Sequence, residues 1–232
     1  MIVKSLRIAL PLLMAAGLFS LQGCQHQSSS QVQPATQQQS YQGVLPCADC
    51  NGLQTSLFLN QDGTFVLQET YLATRDGDQV FTSYGQWLRS ADKITLTTNS
   101  GDKRHFRSEG NGLRMLDRNG EAIRSELNYL LLPVSAALPT ALVPLTGLYT
   151  YMADAAIFED CATGKIFPVA NTAELEQAYL AARREPGDAV FLTINGFFQV
   201  RPSMEAGRVQ TVLVPERNGK FRFDRNRSCP KK

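Results

Sequence analysis

Five cysteines carry most of the chemistry open to this 232-residue chain. Cys47 and Cys50 stand two residues apart in Gly43-Val-Leu-Pro-Cys-Ala-Asp-Cys-Asn-Gly52; Cys24 lies near the start, and Cys161 and Cys229 far downstream. A C-x-x-C pair can close a disulfide, hold a soft metal ion such as Cu(I) between two thiolates, or exchange disulfides as a catalyst. The ring closed by a disulfide here is so small that loop closure contributes only about 2 kcal/mol, so stability alone is a weak reason for the pair. Catalytic exchange wants the first thiol at a helix N-terminus, where the dipole lowers its pKa. Here Asn51-Gly52 and a strand pattern follow, with no surrounding βαβ unit. The three readings stay open at this point.

Other reactive groups are sparse. There are two histidines: His26 in a polar stretch and His105 in Lys103-Arg-His-Phe-Arg, which reads as an exposed strand. Glu159-Asp160 reads as a solvated carboxylate pair beside a turn. Met115 and Met152 could offer thioethers to copper, but both sit in apolar strands and read as core. Residues 217–232 hold seven Lys or Arg against one Asp. This tail reads as solvated, with anionic lipid or an acidic partner patch as the alternatives. Nothing here assembles a catalytic set, and the chain is expected to be no enzyme.

The N-terminus places these groups in a compartment. Lys4 and Arg7 precede an apolar run, Ile8 to Phe19, which is too short to span a bilayer and has the form of a secretory signal. Leu21-Gln22-Gly23-Cys24 matches a lipobox, with Cys24 as the lipidated first residue after processing. Several acyl chains anchor firmly where one would be marginal. Gln25 follows, with no Asp there to retain the protein at the inner membrane, so the outer membrane is the expected home. Processing removes Lys4 and Arg7, and the formal charge of +2 falls to about zero. A neutral mature chain speaks against nucleic acid as a partner.

Residues 25–40, with seven Gln, four Ser and no Asp, Glu, Lys or Arg, cannot bury enough apolar area to order themselves. They read as a tether reaching about 55 Å when stretched and about 22 Å as a coil. From Thr55 to Leu116, short strand patterns alternate with turns such as Gln61-Asp62-Gly63 and Asp117-Arg-Asn-Gly120. This spacing predicts an antiparallel meander closing into a small barrel. Gly85-Gln-Trp87 is similar to a lipocalin strand signature. Ser135–Gly147, with two prolines and no charge, reads as a linker. Beyond it come strands, one helix with Leu175, Ala178, Tyr179 and Ala182 on a single face and Asn171 as its cap, and then more strands, the order of an OB-fold. The expected organisation is a signal segment 1–23, lipidated tether 24–40, lipocalin-like β-barrel 41–134, linker 135–146 and OB-fold barrel 147–232, so a mainly all-β protein.

In an oxidising envelope, the four remaining cysteines suggest bridges. Of the three pairings, the domain split favours Cys47–Cys50 with Cys161–Cys229. The second closes a loop of about 68 residues and stabilises by roughly 4 kcal/mol.

Tyr41-Gln-Gly-Val-Leu-Pro-Cys-Ala-Asp-Cys-Asn-Gly, Thr55-Ser-Leu-Phe-Leu, Tyr149-Thr-Tyr-Met-Ala-Asp-Ala-Ala, Asp160-Cys-Ala-Thr-Gly-Lys and Ala173-Glu-Leu-Glu closely resemble the NlpE (CutF) family. The likeness runs through essentially the whole chain, with the tail around Cys229 a poorer match. It implies an outer-membrane lipoprotein, a lipocalin-like barrel followed by an OB-fold, and roles in copper tolerance, surface sensing and activation of the Cpx envelope-stress kinase. It also implies that Cys47 and Cys50 form a copper or redox site and that the Cys161–Cys229 bridge monitors disulfide formation. The partners expected are the outer membrane through the lipid, a Cpx sensor kinase, a periplasmic disulfide oxidase and a second copy of the chain. No cofactor is required; copper is the one candidate. The alternatives are a periplasmic copper carrier and a lipocalin-like carrier of a small apolar ligand.

Overall fold

The computed structural model describes residues 38–170 and 172–230. The signal segment, Cys24 and its lipobox, and His26 lie outside them. Strands β1 (Gln38–Leu45), β2 (Gly52–Asn60), β3 (Thr64–Thr74), β4 (Gly77–Ser90), β5 (Lys93–Thr98), β6 (Lys103–Glu109), β7 (Gly112–Met115) and β8 (Leu130–Val134) form a closed barrel in sequence order. Every neighbouring pair is antiparallel, and Ser40↔Val134 and Gln42↔Leu132 join the last strand to the first. This is the up-and-down closure of lipocalins. β1 begins three residues inside the stretch read as tether: Ser40 is buried and donates to the Val134 carbonyl at 2.6 Å, so barrel closure recruits polar residues that carry no strand pattern.

The period-two alternation explains why the barrel closes with a filled interior. Leu57 and Leu59 of β2, Phe65 and Leu67 of β3, and Leu96, Phe106, Leu113 and Leu131 beyond them share one buried cluster. Two turn and crossing residues hold the register. Asp62 accepts from the backbone N–H and hydroxyl of Thr64, at 2.8 and 2.6 Å, while Gly63 takes the left-handed conformation the tight turn needs. At Gly85 a β-carbon would run into the Thr97 carbonyl of the next strand, which explains the glycine of Gly85-Gln-Trp87. Trp87 packs against the interior and donates its indole N–H to the Asn60 carbonyl at 2.8 Å.

The second sheet holds β9 (Val143–Met152), β10 (Ala155–Asp160), β11 (Ile166–Pro168), β12 (Val190–Pro202), β13 (Val209–Pro215) and β14 (Phe221–Asp224), in the order β11-β10-β9-β12-β13 with β14 also on β12. A parallel bridge between Val169 and Leu213 brings its two ends together, so the sheet is a nearly closed barrel. β9 starts inside the proline-containing interval. Helix α1 (Ala173–Ala182) buries Leu175 and Tyr179. Its cap is Thr172, whose hydroxyl accepts from the Leu175 N–H at 3.2 Å; the cap expected at Asn171 is therefore displaced by one residue.

The two barrels share apolar packing. Phe58, Val66 and Tyr84 point outward from the first barrel and belong to the cluster built on Tyr149, Phe158, Phe167, Leu192 and Phe198 of the second. The Tyr84 and Phe198 rings are 4.6 Å apart between centroids.

Candidate functional site

Cys47 and Cys50 sit on the loop between β1 and β2, at one end of the first barrel. Leu45 is buried just before the loop, and the Asn51 N–H donates to the Leu72 carbonyl at 2.9 Å just after it. Both ends are thus fixed, and the two sulfurs are joined with a Cα–Cα distance of 5.4 Å. Beside the loop lies an open hollow of about 280 Å³ lined by Val44, Pro46, Cys47, Leu127 and Asn128. Val44 and Leu127 are exposed there, so an apolar surface adjoins the bond.

The loop leads into β2 and not into a helix, so no dipole is aimed at either sulfur to lower a thiol pKa. The Cys50 sulfur is 3.1 Å from the Gly52 carbonyl oxygen. For a metal, the donor set is two sulfurs. Among the described residues no group of three or more His, Cys, Asp or Glu could hold an ion. Two thiolates fit a soft monovalent ion such as Cu(I), which accepts few, soft ligands.

Cys161 and Cys229 are joined with a Cα–Cα distance of 5.2 Å across a sequence separation of 68. Cys161 lies in the turn from β10 to β11, and Cys229 follows β14, so the bond ties the tail to the sheet end. Two tail arginines are used structurally: Arg227 lies 4.5 Å from the Phe191 ring centroid and Arg225 donates to the Ala181 carbonyl of the last helical turn at 3.3 Å. Both arginines remain exposed to solvent, in keeping with a solvated tail that these contacts order in part.

The carboxylate pair beside Cys161 also departs from expectation. Glu159 is exposed, but Asp160 is only 1% exposed. Its Oδ2 accepts from the Thr163 N–H at 2.8 Å and the Thr163 hydroxyl at 2.6 Å. Thr163 Oγ1 is in turn 3.2 Å from the Tyr84 hydroxyl, and its carbonyl accepts from Gln86 Nε2 at 2.9 Å. Burial, with the Asp160 charge second, pushes the Tyr84 phenol well above its ordinary value. The reading of Asp160 as solvated is thus corrected, and Thr163 was not singled out, although Asp160-Cys-Ala-Thr-Gly164 is a turn signal with a side-chain acceptor built in.

The remaining candidates separate. His105 is half-buried, with Nδ1 3.1 Å from the Thr95 hydroxyl. Met115 packs against the barrel interior as expected. Met152 does not: at 63% exposed it stands where β9 leaves the core for a turn.

Two family models match the chain: the NlpE N-terminal domain over residues 41–126 and the NlpE C-terminal OB domain over residues 139–230. Lipoprotein NlpE of Escherichia coli K12 is 46% identical over 213 residues, 88% of this chain and 89% of the relative. The chain belongs to the NlpE family. Among solved structures, that of the Cpx pathway activator NlpE from E. coli is 49% identical, covering 82% of this chain and 97% of the other at a TM-score of 0.39. A lipoprotein structure from Shewanella oneidensis is 36% identical over 40% of this chain and 85% of its own, at a TM-score of 0.36. Both cysteine pairs fall within the segments the NlpE models cover, one pair in each. No helix among the described residues is long and apolar enough to cross a membrane.

Proposed function

We propose that this chain is a non-enzymatic envelope lipoprotein, held at the outer membrane by lipid on Cys24 and facing the periplasm, that activates a Cpx-type sensor kinase. The observation that carries this reading is the presence of both NlpE domains in one chain, with one disulfide in each. The Cys161–Cys229 bond is the reporting element for disulfide formation, because it covalently ties the tail beyond β14 to the turn that meets the first barrel. The interior of that barrel is filled by Leu57, Phe65, Leu67 and Phe106, which favours signalling over carriage of an apolar ligand.

A second role, in copper tolerance, is favoured by the fixed, accessible Cys47–Cys50 loop. Reduced, the pair supplies two thiolates, and copper bound there would bring a soft Lewis-acid centre to the barrel end. Surface sensing belongs to the same proposal, since the lipid and tether hold the folded part within reach of the membrane.

The test is expression in a host lacking its own NlpE, read with a Cpx-dependent reporter. The lipidated chain should induce the reporter in a kinase-dependent manner. A chain present at the membrane at normal levels with no response would overturn the reading.

A further inference from the structure

The helix end of the second barrel gathers arginines. Arg183 and Arg184 follow the last residue of α1, and Arg225 reaches the same end from beyond β14, donating to the Ala181 carbonyl at 3.3 Å. Arg222 and Arg227 stand on the adjoining outer face of the sheet. Leu192 and Ile194 of β12 belong to the core cluster, so Phe191 and Thr193 turn outward. Arg222 pairs with Thr193, between Phe221 and Phe223, which pack on the core; the Arg227 guanidinium lies 4.5 Å from the Phe191 ring centroid. Arg183, Arg184 and Arg225 line a hollow of about 180 Å³.

None of these five side chains is in an ion pair among the described residues, where the bridged cations are Arg104, Arg114 and Arg208. Two of the neighbouring acids are occupied by backbone. The Asp188 carboxylate accepts from the Arg184 and Glu185 N–H groups at 3.2 and 2.8 Å, and that of Asp224 from the Asn226 N–H at 3.0 Å; Glu185 is exposed. Three guanidinium groups are oriented by contacts that leave their charge uncompensated: Arg225 on the helix carbonyl, Arg227 over Phe191, and Arg183 5.7 Å from the Tyr179 ring centroid. Like charges gathered this way repel one another unless an anion sits opposite them. Their fixed orientation lowers the entropy lost when one binds, and the planar guanidinium fork matches phosphate oxygens.

We propose that this arginine face docks on an anionic phospholipid bilayer, with lipid phosphates seated against Arg183, Arg184, Arg222, Arg225 and Arg227. Charge complementarity selects the phosphate, and the anchor selects the bilayer. Thirteen residues separate Cys24 from Gln38, where β1 begins, a reach of at most about 45 Å. A lipid on Cys24 therefore keeps a bilayer beside the folded part, and docking becomes an intramolecular event for which several weak contacts suffice. Each cation at an anionic surface strengthens binding roughly fivefold. The choice of a bilayer rests on the reading of Cys24 as lipidated; the face itself is tested without the lipid.

The chain from Gln25 onward, made without acyl chains, is sedimented with vesicles of phosphatidylcholine carrying about a third phosphatidylglycerol, and with phosphatidylcholine alone. It should bind the first and not the second, and binding should fall steeply as salt is raised. Arg184→Gln/Arg222→Gln should weaken binding more than about tenfold, since two cations leave the face. Both side chains are exposed and neither makes a side-chain hydrogen bond among the described residues, so the fold is kept. Arg75→Gln/Arg118→Gln removes the same charge from exposed positions of the first barrel and should change binding less than about twofold. No preference for the anionic vesicles, or equal losses in the two double variants, would overturn the proposal. So would capture of poly-glutamate in place of the vesicles, which would make the occupant an acidic protein segment.

Discussion

Arg104 of β6 meets Glu69 of β3 across the inside of the first barrel, two strands removed, in a two-pronged ion pair. The second prong, Nη2 to Oε2, is 2.8 Å, and the Glu69 side chain is only 8% exposed. A charge buried this far is tolerable only while its partner stays in place.

Arg104→Ala should therefore destabilise the first barrel by about 3 kcal/mol, because it strands the Glu69 carboxylate. Replacing both residues together, Glu69→Leu with Arg104→Met, should recover most of that loss. Urea unfolding of the single and double variants decides between this and a negligible pair, for which the single change would cost well under 1 kcal/mol.

Alkaline pH should loosen the junction between the barrels. Burial, followed by the charge of Asp160, raises the Tyr84 phenol above its ordinary value of 10.0, and burial raises Tyr149 likewise. The folded state then holds protons that the unfolded chain releases, so the stabilisation is complete below pH about 10 and falls as pH rises above it. Urea midpoints between pH 8 and pH 11.5 should decline in this upper range, and less steeply in Tyr84→Phe. An unchanged slope in that variant would remove Tyr84 from the explanation.

The β9–β10 hairpin turns through Ala153 and Asp154, both with positive φ, at 50° and 61°. Such a turn favours Asn-Gly, and alanine there carries a steric penalty on the order of 1 kcal/mol. Ala153→Asn should raise the stability of the second barrel by about 0.5–1 kcal/mol, measured by thermal or urea unfolding. A destabilised variant would contradict the turn assignment.

Graded reduction with dithiothreitol, read by mass-spectrometric mapping of alkylated thiols, should open Cys47–Cys50 before Cys161–Cys229. The first closes a sequence separation of 3 and the second one of 68, so the entropic hold differs by about 3 kcal/mol. Opening in the reverse order would make the C-x-x-C pair the structural clasp.

Both barrels were readable from the sequence where side chains alternate strongly: Thr64-Phe-Val-Leu-Gln and Phe191-Leu-Thr-Ile lie within observed strands, and Leu175 and Tyr179 face the core. The strands that escaped, β1, β8 and β10, owe their state to pairing. Gln38–Ser40 become strand because β2 offers its edge to all three and β8 pairs with Ser40 on the other side. The cysteines were legible as residue types. Their most informative neighbour, Asp160, was not, because an exposed and a buried carboxylate look alike until a turn and a second barrel close over one of them. Tyr84, likewise, reads as one more strand aromatic until Phe198 and Thr163 meet it from more than 70 residues away.

The most direct measurement compares Cpx reporter output for the wild-type chain and for Cys161→Ala/Cys229→Ala at matched amounts of folded, membrane-bound protein. Loss of the bridge should raise the output severalfold, since the Cys161–Cys229 bond is the element proposed to report disulfide formation. Equal or lower output from the bridge-free protein would contradict signalling through this bond.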